Sequence, residues 1–252
     1  MKIDQKREQL APCIDAEFSD FLKYMMYENN EPILWLFGYG SLIWLPNFEY
    51  AKSEMGFVEG FAIRFWQGNT THRGTPESPG RVPTLIEDRK PATWGRSFQL
   101  RGRKQINEAL KHLCTREMKL GGYKYECMDF HVRGSKDNEI IQAVTFIATP
   151  DNDLYLGPAS IDEIAETIVH SEGKSGSNLE YLFRLIDSLR EFLPGIIDEH
   201  LWNLEDACHI LLHVKQIEYS YEELDNRNLK NKFLFKYMLS KSAKHNFFLL
   251  VD

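Results

Sequence analysis

The chain has 252 residues and a formal net charge of -7, from 30 basic and 37 acidic side chains. That length suits one large domain, or one domain with appendages, and the acidic balance argues against a nucleic-acid binder, whose affinity rests on basic surface. Hydrophobic residues make up 43% and charged residues 27%, enough apolar material for a sizeable core and against global disorder.

The opening stretch MKIDQKREQLAPC lacks the apolar core of a secretory signal. No apolar run approaches the ~20 residues that cross a bilayer; the most apolar, Phe247–Val251, is far shorter. The expectation is a soluble cytoplasmic protein with no stable membrane insertion. Cys13, Cys114, Cys127 and Cys208 lie far apart with no CxxC pair, so reduced, mostly buried thiols are expected rather than a zinc ribbon or redox motif.

Residues 11–28 place Ile14, Phe18, Phe21, Leu22 and Met25 on one helical face, which predicts an amphipathic helix closed by Asn29-Asn30 and Pro32. Residues 33–37 form a short apolar run ending in Gly38-Tyr39-Gly40-Ser41, a buried strand entering a tight turn. Strand patterns follow at 61–66, 81–87 and 93–99. Ile106, Ala109, Leu110 and Leu113 have helical spacing, and Gly121-Gly122 breaks the chain after them. Tyr125–Val132 and Ile140–Thr149 read as strands joined by the polar turn 134–138. Ser160 with Glu163, and Ser177 with Glu180, have the capping-box spacing before apolar helical stretches. Pro194-Gly195 ends the second of these, and 198–214 is helical again. The sum is an α+β fold, with a sheet-rich first part and helices packed on it.

Three constellations could carry chemistry. In residues 37–44, Phe-Gly-Tyr-Gly-Ser-Leu-Ile-Trp, two glycines free the backbone to turn sharply and aim N–H groups at an anion. The third glycine of a dinucleotide-binding loop is missing, because Ile43 stands there, and Pro46 interrupts the helix such a loop needs. Arg116-Glu117 stands just before the double glycine; a carboxylate facing an apolar pocket there would be a general acid/base, while the alternative is a solvated, ion-paired glutamate. The loop from Gly68 to Arg81 carries His72, Arg73 and Arg81, where a guanidinium could grip a carboxylate, or it could be an exposed linker. His209 and His213 sit four apart without the glutamate of a zincin, so no metal site is expected. No serine-hydrolase elbow is present.

Taken together, six collinear stretches resemble the ChaC-type γ-glutamylcyclotransferases: FGYGSLIW at 37–44, FWQGNTTHRGTPESPGRVPTLIED at 65–88, WGRSFQL at 94–100, REMKLGGY at 116–123, YLGPAS at 155–160 and SGSNLEYLF at 175–183. The resemblance spans about residues 33–205. It implies a small mixed β-barrel flanked by helices, and cyclisation of the γ-glutamyl group of glutathione to 5-oxoproline with release of cysteinylglycine, using no metal or organic cofactor. It maps substrate binding onto Gly38, Tyr39, Gly40, Ser41, Leu42 and Ile43, the proton-transferring residue onto Glu117, and a pocket residue onto Tyr155. Arg73 or Arg81 is the expected partner of the glycyl carboxylate. The alternatives are a cyclotransferase for other γ-glutamyl amines or dipeptides, and a non-catalytic γ-glutamyl binder. Residues 1–32 are expected to be a helical extension, 33–215 the catalytic domain and 216–252 a C-terminal extension packed on it. Met118 and an extra residue depart from members that read REKGGY. Arg227, Lys230, Lys232, Lys236, Lys241 and Lys244, interleaved with Phe233, Phe235, Tyr237, Met238 and Leu239, form a basic tail expected to close as a helix on the acidic body of the chain, the alternatives being a partner surface or an anionic membrane.

Overall fold

The computed structural model describes residues 16–226. It begins with a 3-10 helix at Ala16–Tyr24, not the longer helix expected to residue 28. Met26–Glu28 instead forms strand β1, which pairs with β2, Glu31–Gly38, in an antiparallel hairpin. Asn29 and Asn30 both take positive φ (51° and 64°), the left-handed turn that matches strand twist and that Asn tolerates. That turn, rather than a helix stop, explains the asparagine pair. The domain boundary expected after residue 32 therefore falls inside β2.

β3 (Lys52–Asn69) and β4 (Gly80–Arg101) form one long hairpin. A helix, α1 (Gly102–Leu113), then leads to a π-helical turn at Cys114–Lys119. β5 (Lys124–Val132) and β6 (Ile140–Ile147) follow as a hairpin. The sheet order is β1-β2-β4-β3-β5-β6, and β2 also pairs with β6 in parallel through Leu36 and Val144. This pairing closes β2, β4, β3, β5 and β6 into a mixed five-stranded barrel. Helix α2 (Ile161–His170), the two-residue strands β7 (Glu172–Gly173) and β8 (Gly176–Ser177), and helices α3 (Asn178–Phe192) and α4 (Glu199–Asn226) complete the chain.

β2 is buried at every position from Pro32 to Gly38. Leu34 and Leu36 share a cluster with Phe98, Leu100, Val144 and the α1 residues Ile106, Leu110 and Leu113. On the other face Phe37 meets Phe130 with ring centroids 5.3 Å apart. Burial on both faces is why the segment reads as an unbroken apolar run. Each such side chain contributes about 1.5–3 kcal/mol over leaving it in water. Ser160 caps α2 with the full reciprocal box to Glu163, and Ser177 caps α3 by accepting from the Glu180 amide.

By contacts the chain divides into a unit from Met1 to Cys208 and one from His209 to Asp252, and the described part of the second is the rest of α4. The basic tail and Cys13 lie outside the described residues. Of the other thiols Cys208 is buried, while Cys114 and Cys127 are partly exposed. Among the described residues no helix is long and apolar enough to cross a membrane, and no cluster of three or more His, Cys, Asp and Glu could hold a metal.

Candidate functional site

β2 delivers the chain to Gly38 and stops. A Cβ at Gly38 would stand 2.5 Å from the Leu42 Cβ, so only glycine permits the following 3-10 turn, Ser41–Ile43, to fold back this closely. The strand behind it is held just as tightly: a Cβ at Gly95 would lie 2.3 Å from the Gly38 carbonyl oxygen.

The other wall comes from the end of α1. The helix widens into the π-turn, in which the Leu120 amide bonds the Thr115 carbonyl at 3.2 Å and the Tyr123 amide bonds the Glu117 carbonyl at 2.9 Å. Such widened turns re-aim side chains and are frequent at functional sites. Here the turn sends Glu117 into a small recess lined by Gly38, Tyr39, Gly40, Ser41, Leu42, Pro83, Tyr123, Thr145 and Tyr181. At about 50 Å³ the recess admits only the end of a ligand. It opens through Ser41, Glu117, Tyr123 and Tyr181 into a cleft of about 670 Å³. His72, Arg73, Lys111, His112, Arg116 and Arg184 stand along that cleft.

The Glu117 side chain is 16% exposed, and its Oε1 lies 3.1 Å from the Arg116 Nε. Burial raises its pKa above the ordinary carboxylate value and Arg116 opposes the rise, with burial the larger influence. Arg116 also donates to the Ser41 Oγ, tying the carboxylate's partner to the glycine turn. Three phenols surround the recess. Tyr39 donates to the Phe146 carbonyl (2.5 Å) and Tyr123 to the Pro83 carbonyl (2.7 Å). Burial pushes the pKa of Tyr181 up to about 12.

The structure brings together Glu117 with Gly38 through Leu42. Ile43 is different: it is fully buried, lies outside the recess, and its amide bonds the Gly40 carbonyl at 3.0 Å. With the Ile43 amide turned back on the loop itself, the turn is less of a free anion nest than the sequence suggests. Arg73 lines the cleft, but its Nη1 holds the Ser177 carbonyl (3.0 Å) and Glu180 (3.1 Å), and its guanidinium lies over the Tyr181 ring. Asn69 organises this loop by accepting from the amides of Thr71, His72 and Arg73.

Arg81 and Tyr155 line neither the recess nor the cleft. The Asn178 amide clamps the Arg81 backbone from both sides, and the guanidinium turns to the carbonyls of Phe65 and Gly157. Its buried Nε has no hydrogen-bond partner. Tyr155 forms a lone β-bridge with Gln67. Sequence reasoning missed Tyr181, Tyr123 and Gln67. Gln67 is fully buried and donates to the Gly121 carbonyl at 2.7 Å, which fixes the double glycine behind Glu117. A glutamine in an apolar strand next to paired aromatics was the available signal.

Residues 34–211 match the family model described as ChaC-like protein. The chain is 50% identical over 179 residues to the glutathione-specific γ-glutamylcyclotransferase 1 of Mus musculus, covering 71% of this chain and 79% of the mouse protein. It is 48% identical over 174 residues to the protein of the same name from Danio rerio, covering 69% and 88%. Among solved structures it resembles the γ-glutamyl cyclotransferase specific to glutathione from yeast, with TM-score 0.64, 29% identity, and coverage of 70% of this chain and 96% of that one.

Proposed function

The chain belongs to the ChaC-like family, and from that premise we propose that it is a glutathione-specific γ-glutamylcyclotransferase. The observation that carries the reading is Glu117: a shielded carboxyl of raised pKa, sharing one recess with the glycine turn at 38–42. The substrate's γ-glutamyl end enters the recess and its cysteinylglycine part occupies the wider cleft.

The reaction is intramolecular. The α-amine attacks the γ-amide carbonyl carbon, a C–N bond forms, and a five-membered ring closes to 5-oxoproline. The amide C–N bond breaks and cysteinylglycine leaves. Holding the glutamyl chain folded supplies much of the rate, since attacking and attacked atoms share one molecule. The amine must lose a proton and the leaving nitrogen must gain one. Glu117 takes the first and returns it to the second, and a pKa lifted toward the working pH suits both halves of that exchange. Help of this kind is worth ~10²–10⁴-fold. Arg116 keeps the carboxyl in place and limits how far burial raises its pKa.

Arg73 faces the cleft and is our candidate for the glycyl carboxylate of glutathione, in preference to Arg81, whose Nη1 bonds the carbonyls of Phe65 and Gly157. We place the protein in the cytoplasm, where glutathione is held reduced. The test is incubation with glutathione and with γ-Glu-Ala, followed by assay of 5-oxoproline. Release from glutathione alone supports the reading. Release only from the dipeptide moves it to a broader cyclotransferase, and release from neither removes it.

A further inference from the structure

Ring closure at an amide carbon develops negative charge on the γ-carbonyl oxygen, and that charge needs a donor aimed at it. Two groups near Glu117 that could serve already have partners. Arg116 is held by Glu117 and by the Ser41 Oγ, and the Ile43 amide by Gly40. Of the three phenols, Tyr39 and Tyr123 give their protons to backbone carbonyls. Tyr181 alone of the three has no carbonyl taking its proton.

The position of Tyr181 is fixed from several sides. It is 8% exposed. Trp44 packs edge-on at 5.5 Å, Phe65 at 6.3 Å, and the Arg73 guanidinium covers the ring at 5.5 Å. A Cβ built on Gly40 would stand 3.0 Å from the hydroxyl, so the phenol lies directly against the glycine turn. It borders both the recess and the cleft, at the passage where the scissile amide of a bound γ-glutamyl compound must lie.

We propose that the Tyr181 hydroxyl donates a hydrogen bond to the γ-carbonyl oxygen of the substrate as the ring closes. This inference rests on the cyclotransferase reading and adds to it a residue that touches the reacting group. Tyr181 keeps its proton throughout; the transferred proton travels on Glu117. The high pKa of the phenol, about 12, keeps it protonated across the neutral range.

The experiment is steady-state kinetics of Tyr181→Phe on glutathione. The expected result is a kcat lower by about 10²-fold, the size typical of one lost oxyanion donor, with KM little changed. A kcat equal to wild type, or a change confined to KM, overturns the proposal. A second measurement does not depend on how much of the variant folds: the ratio of rates on a γ-glutamyl amide and on its γ-thioamide, whose sulfur accepts hydrogen bonds poorly. Wild type should favour the amide more strongly than the variant does, and equal ratios again overturn the donor role. A wild-type chain that yields no 5-oxoproline defeats the cyclotransferase reading itself. Wild-type turnover beside an unimpaired Tyr181→Phe defeats only the role of the phenol.

Discussion

Replacing Glu117 by glutamine should separate catalysis from folding. Glutamine keeps the shape and leaves an oxygen for the Arg116 Nε, 3.1 Å away in the parent chain. Without a group that can exchange a proton, kcat on glutathione should fall by ~10²–10⁴-fold, about 3–5 kcal/mol of barrier. Stability should move the other way. Because burial raises the carboxyl's pKa, the folded chain holds this proton to higher pH than the unfolded chain does. In that window the native state binds more protons, so stability falls as pH climbs through it. The glutamine variant escapes that loss. Its Tm should match or exceed the parent's at neutral pH, with the advantage vanishing below the ordinary carboxyl value of 4.5. The assays are 5-oxoproline release, calorimetric binding of glutathione, and thermal melts at two pH values. Parent-like release by Glu117→Gln would refute the catalytic assignment, and a lower Tm at neutral pH would refute burial as the dominant influence.

Arg73→Ala should raise KM for glutathione with a smaller effect on kcat, while Arg81→Ala should lower Tm and leave KM alone; the reverse pattern would exchange the two roles. Gly95→Ala forces a methyl to 2.3 Å from the Gly38 carbonyl and 2.7 Å from the Phe37 ring, and should destabilise by about 1–3 kcal/mol or more in a denaturant melt. His200 accepts a hydrogen bond from the Phe65 amide at 3.2 Å, and burial holds its pKa down from 6.5 to about 4. The unfolded chain binds this proton first, so stability due to His200 should be full above pH 6.5 and fade as pH falls toward 4. His200→Gln should flatten that part of the Tm profile, and an unchanged profile would show the ring to be irrelevant to it.

The local signals that survived in the structure are those where short-range chemistry decides. The two serine caps, the apolar run of β2 and the 3.6-residue pattern of α1 each appear where their spacing puts them. The long hairpin was visible only as fragments. Its register jumps from the Glu59–Ala92 pair to the Phe61–Glu87 pair, and Pro91, which cannot donate to a ladder, falls in the bulge between them. An interrupted pattern hides a continuous strand. At the N-terminus, five apolar residues at helical spacing concealed a strand that begins at Met26, because pairing with β2 outweighs periodicity. Glu117 and the glycine turn could be read from motif order. Tyr181 could not, since its place depends on Trp44, Phe65 and Arg73 arriving from three other segments. Arg81 shows the converse: a donor of the right type, beside the right loop, whose Nη1 bonds the carbonyls of Phe65 and Gly157 outside the recess and the cleft.

The parallel seam between Leu36 and Val144 also bears on how the molecule assembles. Every other barrel pairing is antiparallel, two of them (β3–β4 and β5–β6) linking strands consecutive in the chain, whereas this one must close roughly a hundred residues of intervening chain. It is therefore the step expected to zip last during folding and to open first in native-state hydrogen exchange. The glycine turn is the direct continuation of the strand on one side of that seam. A reaction centre mounted there would come into being only when the barrel is shut, and a γ-glutamyl ligand lodged in it would slow exchange along a seam it need not touch.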